Sequence, residues 1–399
     1  MRLRPRRVVL GVLALLAVAL AVNELRPVGP VAAAQTVGSS AGVRGAAAPV
    51  PWPASGQAAF GGRGGGALAV SPNSRPQPIA SVAKVMTALV VLDEKPLAPG
   101  ADGPAVPVGP DDVTEYEQEK AGGESVLAVQ AGEQLTERQA LQGLLVPSGN
   151  NVAGLLARWA SGSVDEHVRR MNARARAMGL GRTSFADVSG LSEKTVSVPA
   201  DLVRLGQAAL AQPVLADIVQ QAQATLPVAG TVYNVNYVLG QEGIVGIKTG
   251  NIAAGGAIYL FAATGPLSGG TTATLVGAVQ GLSTLDGAFD AAKTLLRAAR
   301  TSLQTLHVAS KDETVGRIAL PWGGGSDVVA AEDLDILVLP GTVVRKSLRS
   351  RPVAPPISPR TNVASLRVTA GDAVFDLPVV NADQLYGPGR LTRLTRVTW

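Results

Sequence analysis

The sequence predicts an α+β fold, a domain of helices and antiparallel strands followed by a smaller β-rich domain. Residues 81–210 hold a succession of apolar helical patterns, and residues 246–280 hold β-branched and small apolar runs suited to central strands. From about residue 303 the pattern changes to short strands separated by Gly, Pro and Asp. A chain of 399 residues is long enough for one large domain and a smaller one.

Composition narrows the chemistry. Charged residues make up 16% of the chain and apolar ones 46%, a globular rather than a disordered balance. The basic excess sits partly in Arg2, Arg4, Arg6 and Arg7 and partly in residues 345–360. Neither cluster is interleaved with aromatics, which argues against nucleic-acid binding. There is no cysteine, so disulfides, thiol nucleophiles and zinc–thiolate sites are excluded. His167 and His307 are the only histidines, they share no metal-ligand spacing, and both are read as structural or surface residues. No metal or cofactor is expected, and an enzyme of this composition is expected to use a base other than histidine.

The N-terminus points to export. After the arginines, residues 8–22 form an unbroken apolar run. As a helix it would span about 22 Å, short of the roughly 30 Å hydrocarbon core, which suits a signal peptide better than a membrane anchor. Ala32-Ala33-Ala34 offers a small-residue cleavage site before Gln35. Residues 1–34 are therefore read as a signal peptide or an N-terminal anchor, with the rest exported to the outer face of the cytoplasmic membrane or the cell-wall space. Membrane contact is expected only through this segment. Residues 35–58, rich in Pro, Ala and Gly without an apolar period, read as a linker.

Next come the elements that carry chemistry. The glycine-rich run 61–66 reads as a loop beside a strand at 67–70, since no Lys-Ser/Thr follows it to make a phosphate cradle. Ser81 opens an almost wholly apolar helix, with Pro78 just before it, where a helix start tolerates proline. Asp111, Asp112, Glu115, Glu117 and Glu119 read as a solvated helix face rather than as paired acid/base groups. Residues 136–145 form a helix with a capping box at Thr136-Glu137-Arg138-Gln139. A turn at Pro147-Ser148-Gly149-Asn150 leads into helices at 152–160, 164–178 and 201–210. Strands at 246–263 and 272–280 precede a helix at 282–299. Short strands follow at 308, 315–319, 336–339, 366–370 and 373–379. The two globular units are accordingly placed at 59–300 and 303–399.

Three short patterns stand out. Ser81-Val82-Ala83-Lys84 puts a hydroxyl and an amine on one helix face, at the N-terminus where free N–H groups favour negative charge. Serine needs a neighbour to take its proton, and a lysine does so only when neutral, which burial among apolar residues promotes. Ser148-Gly149-Asn150 supplies a second hydroxyl and an amide on a turn, able to relay a proton and hold a substrate carbonyl, although these residues are also plain turn formers. Lys248-Thr249-Gly250 lies on a strand, where glycine admits another backbone and a peptide could add along the edge. There Lys248 would supply a fixed cation, and Thr249 a hydroxyl for a terminal carboxylate. Each pattern alone is weak. A helix-borne S-x-x-K, a loop-borne S-x-N and a strand-borne K-T-G in this order form a strong signal.

With these residues the sequence resembles the D-alanyl-D-alanine carboxypeptidases, the low-molecular-mass penicillin-binding proteins of the serine peptidase class. The resemblance runs from about residue 67 to 299 and includes the flanks Pro78-Ile79-Ala80-Ser81, Leu144-Leu145-Val146-Pro147-Ser148-Gly149-Asn150-Asn151, Ser189-Gly190-Leu191 and Gly246-Ile247-Lys248-Thr249-Gly250. It implies a penicillin-binding/β-lactamase-like fold, an antiparallel sheet flanked by helices with a helical subdomain. It also implies a serine-type peptidase acting on peptidoglycan stem peptides that end in D-Ala-D-Ala, and acylated by β-lactam antibiotics. Carried over residue by residue, Ser81 is the nucleophile, Lys84 the base and Ser148 the proton relay to the leaving D-alanine. Asn150 would hold the substrate amide, and Lys248, Thr249 and Gly250 the carboxylate end. The backbone N–H groups of Ser81 and Asn251 would form the oxyanion hole.

The chain departs from the family pattern in two places. Ser184-Phe185-Ala186-Asp187-Val188 stands where an asparagine–proline–histidine pattern is common, and the residues up to Trp399 lack a long amphipathic anchor, so any tether is expected at the N-terminus. A serine β-lactamase is the nearest rival, but Gly149 replaces its aspartate and no E-x-x-L-N element is present. A non-catalytic wall-binding or penicillin-sensing module would need no nucleophile. The motifs do not separate carboxypeptidase from endopeptidase.

Overall fold

The computed structural model describes residues 5–46, 49–66 and 68–395. Arg2, Arg4, Ala67 of the expected strand, Ala47 and Ala48 of the expected linker, and residues 396–399 lie outside the described residues. The chain opens with helix α1 (Pro5–Leu25) and two short strands, β1 (Ala33–Gln35) and β2 (Ser40–Gly42). The large unit then begins with β3 (Gln57–Gly61) and β4 (Ala69–Val70). A helical group follows: α2 (Ala83–Glu94), α3 (Pro110–Ala121), α4 (Glu137–Leu145), α5 (Asn150–Ser161), α6 (Val164–Ala177), α7 (Pro199–Ala211) and α8 (Pro213–Val219). Three long strands, β5 (Ile244–Ile252), β6 (Gly256–Pro266) and β7 (Thr272–Leu282), and helix α9 (Leu285–Ser302) complete it.

The five strands form an antiparallel sheet in the order β5-β6-β7-β3-β4. The period-2 alternation of β6 explains its continuous apolar sequence, because both of its faces are covered. Ile258, Leu260 and Ala262 join the core shared with α2 and α7, whereas Ala257, Tyr259, Phe261 and Ala263 join the core formed with Phe289, Leu295 and Leu296 of α9. Helix α2 is buried from Ala83 to Leu92, Lys84 and Thr87 included. An all-round apolar sequence thus becomes the central helix of the unit.

Several expectations need correction. Ser81 does not open α2 itself: it sits in a 3₁₀ turn, Ala80–Val82, that precedes α2, and Pro78 ahead of it pairs with Val196 in a two-residue ladder. The run 246–263 is a hairpin rather than one strand, because its turn at Ala253, Ala254 and Gly255 is as small and apolar as the strands it joins. Leu282 ends β7, and α9 starts only after Thr284, whose hydroxyl accepts the Gly287 N–H. Asn150 already belongs to α5.

The largest correction concerns residues 31–58. β8 (Thr314–Ala319), β9 (Gly325–Ala330), β10 (Val343–Ser350), β11 (Asn362–Ala370) and β12 (Ala373–Asn381) form the C-terminal sheet, whose order is β1-β8-β9-β12-β11-β10-β2. Both outermost strands therefore come from the N-terminal segment expected as leader and linker. Val31 is buried in this domain's core and exchanges backbone hydrogen bonds with Val353 at 2.8 and 3.0 Å. Gln35 accepts the Leu348 N–H at 2.8 Å, and Lys346 N–H reaches Ser39 O at 2.8 Å. Strands of three residues are too short to show a period, so composition alone made this segment look unstructured. The linker's last residues, 57 and 58, are in β3.

Near its end α1 meets α10 (Arg390–Thr395): Asn23 Nδ2 donates to Leu394 O at 3.2 Å, and Arg390 pairs with Glu24 at 2.8 Å. No single helix among the described residues is long and apolar enough to cross a membrane.

Candidate active site

Three structural elements converge on one cleft. Ser81 lies on the turn that leads into α2, Ser148 and Asn150 lie where the chain enters α5, and Lys248, Thr249 and Gly250 lie on β5, an edge strand. The cleft has a volume of about 400 Å³, and its walls include Ser81, Ser148, Asn150, Thr249, Gly250 and Asn251. Lys84 and Lys248 are buried beside it. The structure thus brings together every residue singled out from the three patterns.

Lys84 is the hub. Its Nζ lies 2.8 Å from Ser81 Oγ, 3.3 Å from Ser148 Oγ and 2.5 Å from Asn150 Oδ1. Burial pushes its pKa well below the usual lysine range, and the nearby Lys248 lowers it further, while Glu119, Asp187 and Glu124 oppose the shift. Lys248 is also buried, and burial brings its pKa down to about 7. Its Nζ donates to the Thr249 carbonyl at 3.1 Å. Burial and the Lys248 charge thus both favour the neutral form of Lys84, the lysine in contact with Ser81.

Two glycines allow the close packing. A Cβ on Gly250 would stand 3.1 Å from both Ile79 O and Ser81 N, so only glycine lets β5 pass this near the Ser81 turn. A Cβ on Gly190 would fall 1.7 Å from Ala80 O, and Gly190 has φ +87°. Around the cleft, Ala80 and Ser148 also take positive φ, 45° and 68°. Such conformations cost about 1–3 kcal/mol each and persist where the surroundings over-determine them.

The loop expected to alter the rim is organised by Asp187. Its carboxylate accepts the Gly190 N–H at 2.7 Å, the Leu191 N–H at 2.8 Å and the Ser189 hydroxyl at 3.0 Å, and it also bonds the Thr195 hydroxyl. This one aspartate fixes the loop that presses Gly190 onto the Ala80 backbone.

The acidic helix is only partly a solvated face. Asp111 and Glu117 are exposed, but Asp112 and Glu115 pair with Arg158 of α5. Glu119 turns toward Lys84, and burial together with Glu115 raises its pKa to about 7. Glu124, which follows α3, lines the cleft and receives a 3.4 Å contact from Asn150 Nδ2. Counting charges along the helix does not reveal Glu119 or Glu124; the Gly122-Gly123 break, which turns the chain back toward α5, was the available signal. Leu191 of the Ser189-Gly190-Leu191 flank also lines the cleft, as do Ser125, Val235 and Leu285, which carry no motif. His167 is a buried structural residue, bonded to Ser161 Oγ at 2.9 Å and Thr87 O at 3.3 Å. His307 is at the surface of the C-terminal domain.

Comparison with known proteins follows the same lines. The family profile described as D-alanyl-D-alanine carboxypeptidase matches residues 62–268. The D-alanyl-D-alanine carboxypeptidase DacB2 of Mycobacterium tuberculosis is 36% identical over 153 residues, 38% of this chain and 48% of that protein. A D-alanyl-D-alanine endopeptidase of Pseudomonas aeruginosa is 34% identical over 180 residues, 44% of this chain and 53% of that protein. The chain thus spans about half the length of these two curated relatives. Penicillin-binding protein 5 of Haemophilus influenzae has a similar fold, with a TM-score of 0.69, 19% identity, and coverage of 85% of this chain and 100% of that one. The Streptomyces K15 DD-transpeptidase gives a TM-score of 0.56 at 24% identity, covering 63% of this chain and 98% of that one.

Proposed function

The chain belongs to the D-alanyl-D-alanine carboxypeptidase family, and from that premise we propose that it is an exported serine peptidase that removes the terminal D-alanine from peptidoglycan stem peptides. The observation that carries this reading is the position of Lys84 Nζ, buried and within hydrogen-bonding reach of Ser81, Ser148 and Asn150 together. Ser81 Oγ attacks the carbonyl carbon between the two terminal D-alanines as its proton passes to neutral Lys84. The Ser81 and Asn251 N–H groups hold the resulting oxyanion. Its collapse breaks the C–N bond, the leaving nitrogen takes a proton by way of Ser148, and Ser81 keeps the acyl group as an ester. Water then hydrolyses that ester. Asn150 holds the substrate amide, and Lys248 and Thr249 hold the carboxylate. A β-lactam acylates Ser81 by the same first step.

A second reading, cleavage of the cross-link by an endopeptidase, is favoured by the P. aeruginosa relative named for that activity, which matches over the longer stretch. Export rests on Arg6 and Arg7 followed by the apolar residues of α1, and a tether through that helix is part of the proposal. The test uses a fluorescent penicillin, a pentapeptide and a cross-linked muropeptide. Labelling of the wild type but not of Ser81→Ala is expected, with free D-alanine from the pentapeptide and no cleavage of the cross-link. Absence of label on the wild type overturns the serine-peptidase reading, and cleavage of the cross-link favours the endopeptidase.

A further inference from the structure

Of the residues lining the cleft, Glu124 is the only charged one among those described. The charge is held in place rather than left on a free loop. Glu124 N–H donates to Glu119 O at 3.0 Å, and Ser125 O accepts the Asn150 N–H at 2.8 Å, so the segment is tied to the start of α5. The side chain adds the contact from Asn150 Nδ2 at 3.4 Å. Glu124 is itself exposed and so open to a ligand.

The cleft is therefore polarised. Thr249 and the buried Lys248 lie on one wall, and Glu124 lies beside Asn150 on the wall formed with α5. A peptide whose carboxylate is held at Thr249 runs back past Ser81, and its acyl side reaches Asn150. A ligand that is anionic at its C-terminal end and cationic on its acyl side matches this charge pattern.

We propose that Glu124 is a specificity-determining residue that selects peptides carrying a free amine on the residue preceding the D-Ala-D-Ala pair. The proposal rests on the peptidase reading. An exposed carboxylate contributes modestly to an ion pair, so the preference is expected at about three- to tenfold in kcat/KM and weakens as salt is added.

The experiment compares Nα-acetyl-Lys-D-Ala-D-Ala, whose ε-amine is free, with its Nα,Nε-diacetyl counterpart. The wild type is expected to prefer the free amine, Glu124→Gln to bring the ratio near one, and Glu124→Lys to invert it. A ratio is read because Glu124 also raises the pKa of Lys84, so the variants alter the rate on both peptides alike. A wild type without preference, or a Glu124→Gln enzyme that keeps it, overturns the proposal. Penicillin labelling is measured on the same samples. Labelling with hydrolysis but no preference removes only the role of Glu124, whereas neither labelling nor hydrolysis removes the peptidase reading beneath it.

Discussion

Lys248 on β5 holds down the pKa of Lys84 on α2, even though only Lys84 contacts Ser81. Acylation needs neutral Lys84, so its rate rises with pH through the Lys84 pKa. Removing the Lys248 charge raises that pKa, and Lys248→Gln is expected to move the rise to higher pH. Glu119 pulls the other way once it is ionised, above about pH 7, so over that range Glu119→Gln is expected to move it to lower pH. The midpoint of the pH dependence of penicillin acylation reads both shifts, and movement in the same direction for the two variants contradicts the assignment.

Lys248 should itself show in substrate binding. With its pKa brought by burial to about 7, it loses its charge as pH rises through that value. The KM for a peptide with a free C-terminal carboxylate is expected to climb above pH 7, and that for the C-terminally amidated peptide to stay flat. Parallel KM curves would remove Lys248 as the carboxylate anchor.

Gly250→Ala and Gly190→Ala probe the two approaches to the Ser81 turn. The alanine at 250 stands against Ala80 Cβ, Ser81 N and Ile79 O, and a displacement of a few tenths of an ångström there is expected to slow acylation by less than the roughly 10²-fold that a 1 Å misplacement costs, with a smaller loss of thermal stability than at 190. At 190 the methyl group overlaps Ala80 O and the backbone has positive φ, so both acylation and the unfolding temperature are expected to fall. Acylation and melting curves for the pair check the difference.

Asp187 carries the loop behind Gly190. Losing several hydrogen bonds to one carboxylate, each worth about 1.5–3 kcal/mol and not additive, is expected to make Asp187→Ala clearly less stable and at least tenfold slower to acylate. Asp187→Asn, which keeps one acceptor, is expected to lie between. Wild-type acylation by both variants would show that the loop does not position Ser81.

The N-terminal segment offers a control far from the cleft. Val31→Asp places a charge in the core of the C-terminal domain and is expected to cost about 3 kcal/mol in that domain's stability, leaving penicillin acylation near the wild-type rate. Denaturant unfolding together with labelling checks both halves.

The nucleophile, the lysines and the turn residues were legible because side-chain chemistry at fixed spacing survives in one dimension. Ser81 and Lys84 share a helical face in any helix, and the run around them already implied burial. Glu119 was not legible, because which side of the acidic helix α3 meets α5 depends on packing, and Glu124 lies past the Gly122-Gly123 break in a segment without a periodic pattern. Asp187 looked like a departure from a pattern, and its meaning lies in the backbone N–H groups that it gathers. The hairpin at 253–255 was hidden because its turn uses the same small residues as its strands.

The N-terminal strands have a consequence in time. β1 and β2 leave the ribosome long before the strands they pair with, β8 and β10, are made. β1 and β2 must stay unpaired until β8 and β10 have been made, and only then can they bind the two opposite edges of that sheet. The C-terminal sheet is thus completed at both edges by strands made long before it, and a truncated product lacking β8 and β10 leaves β1 and β2 without their partners.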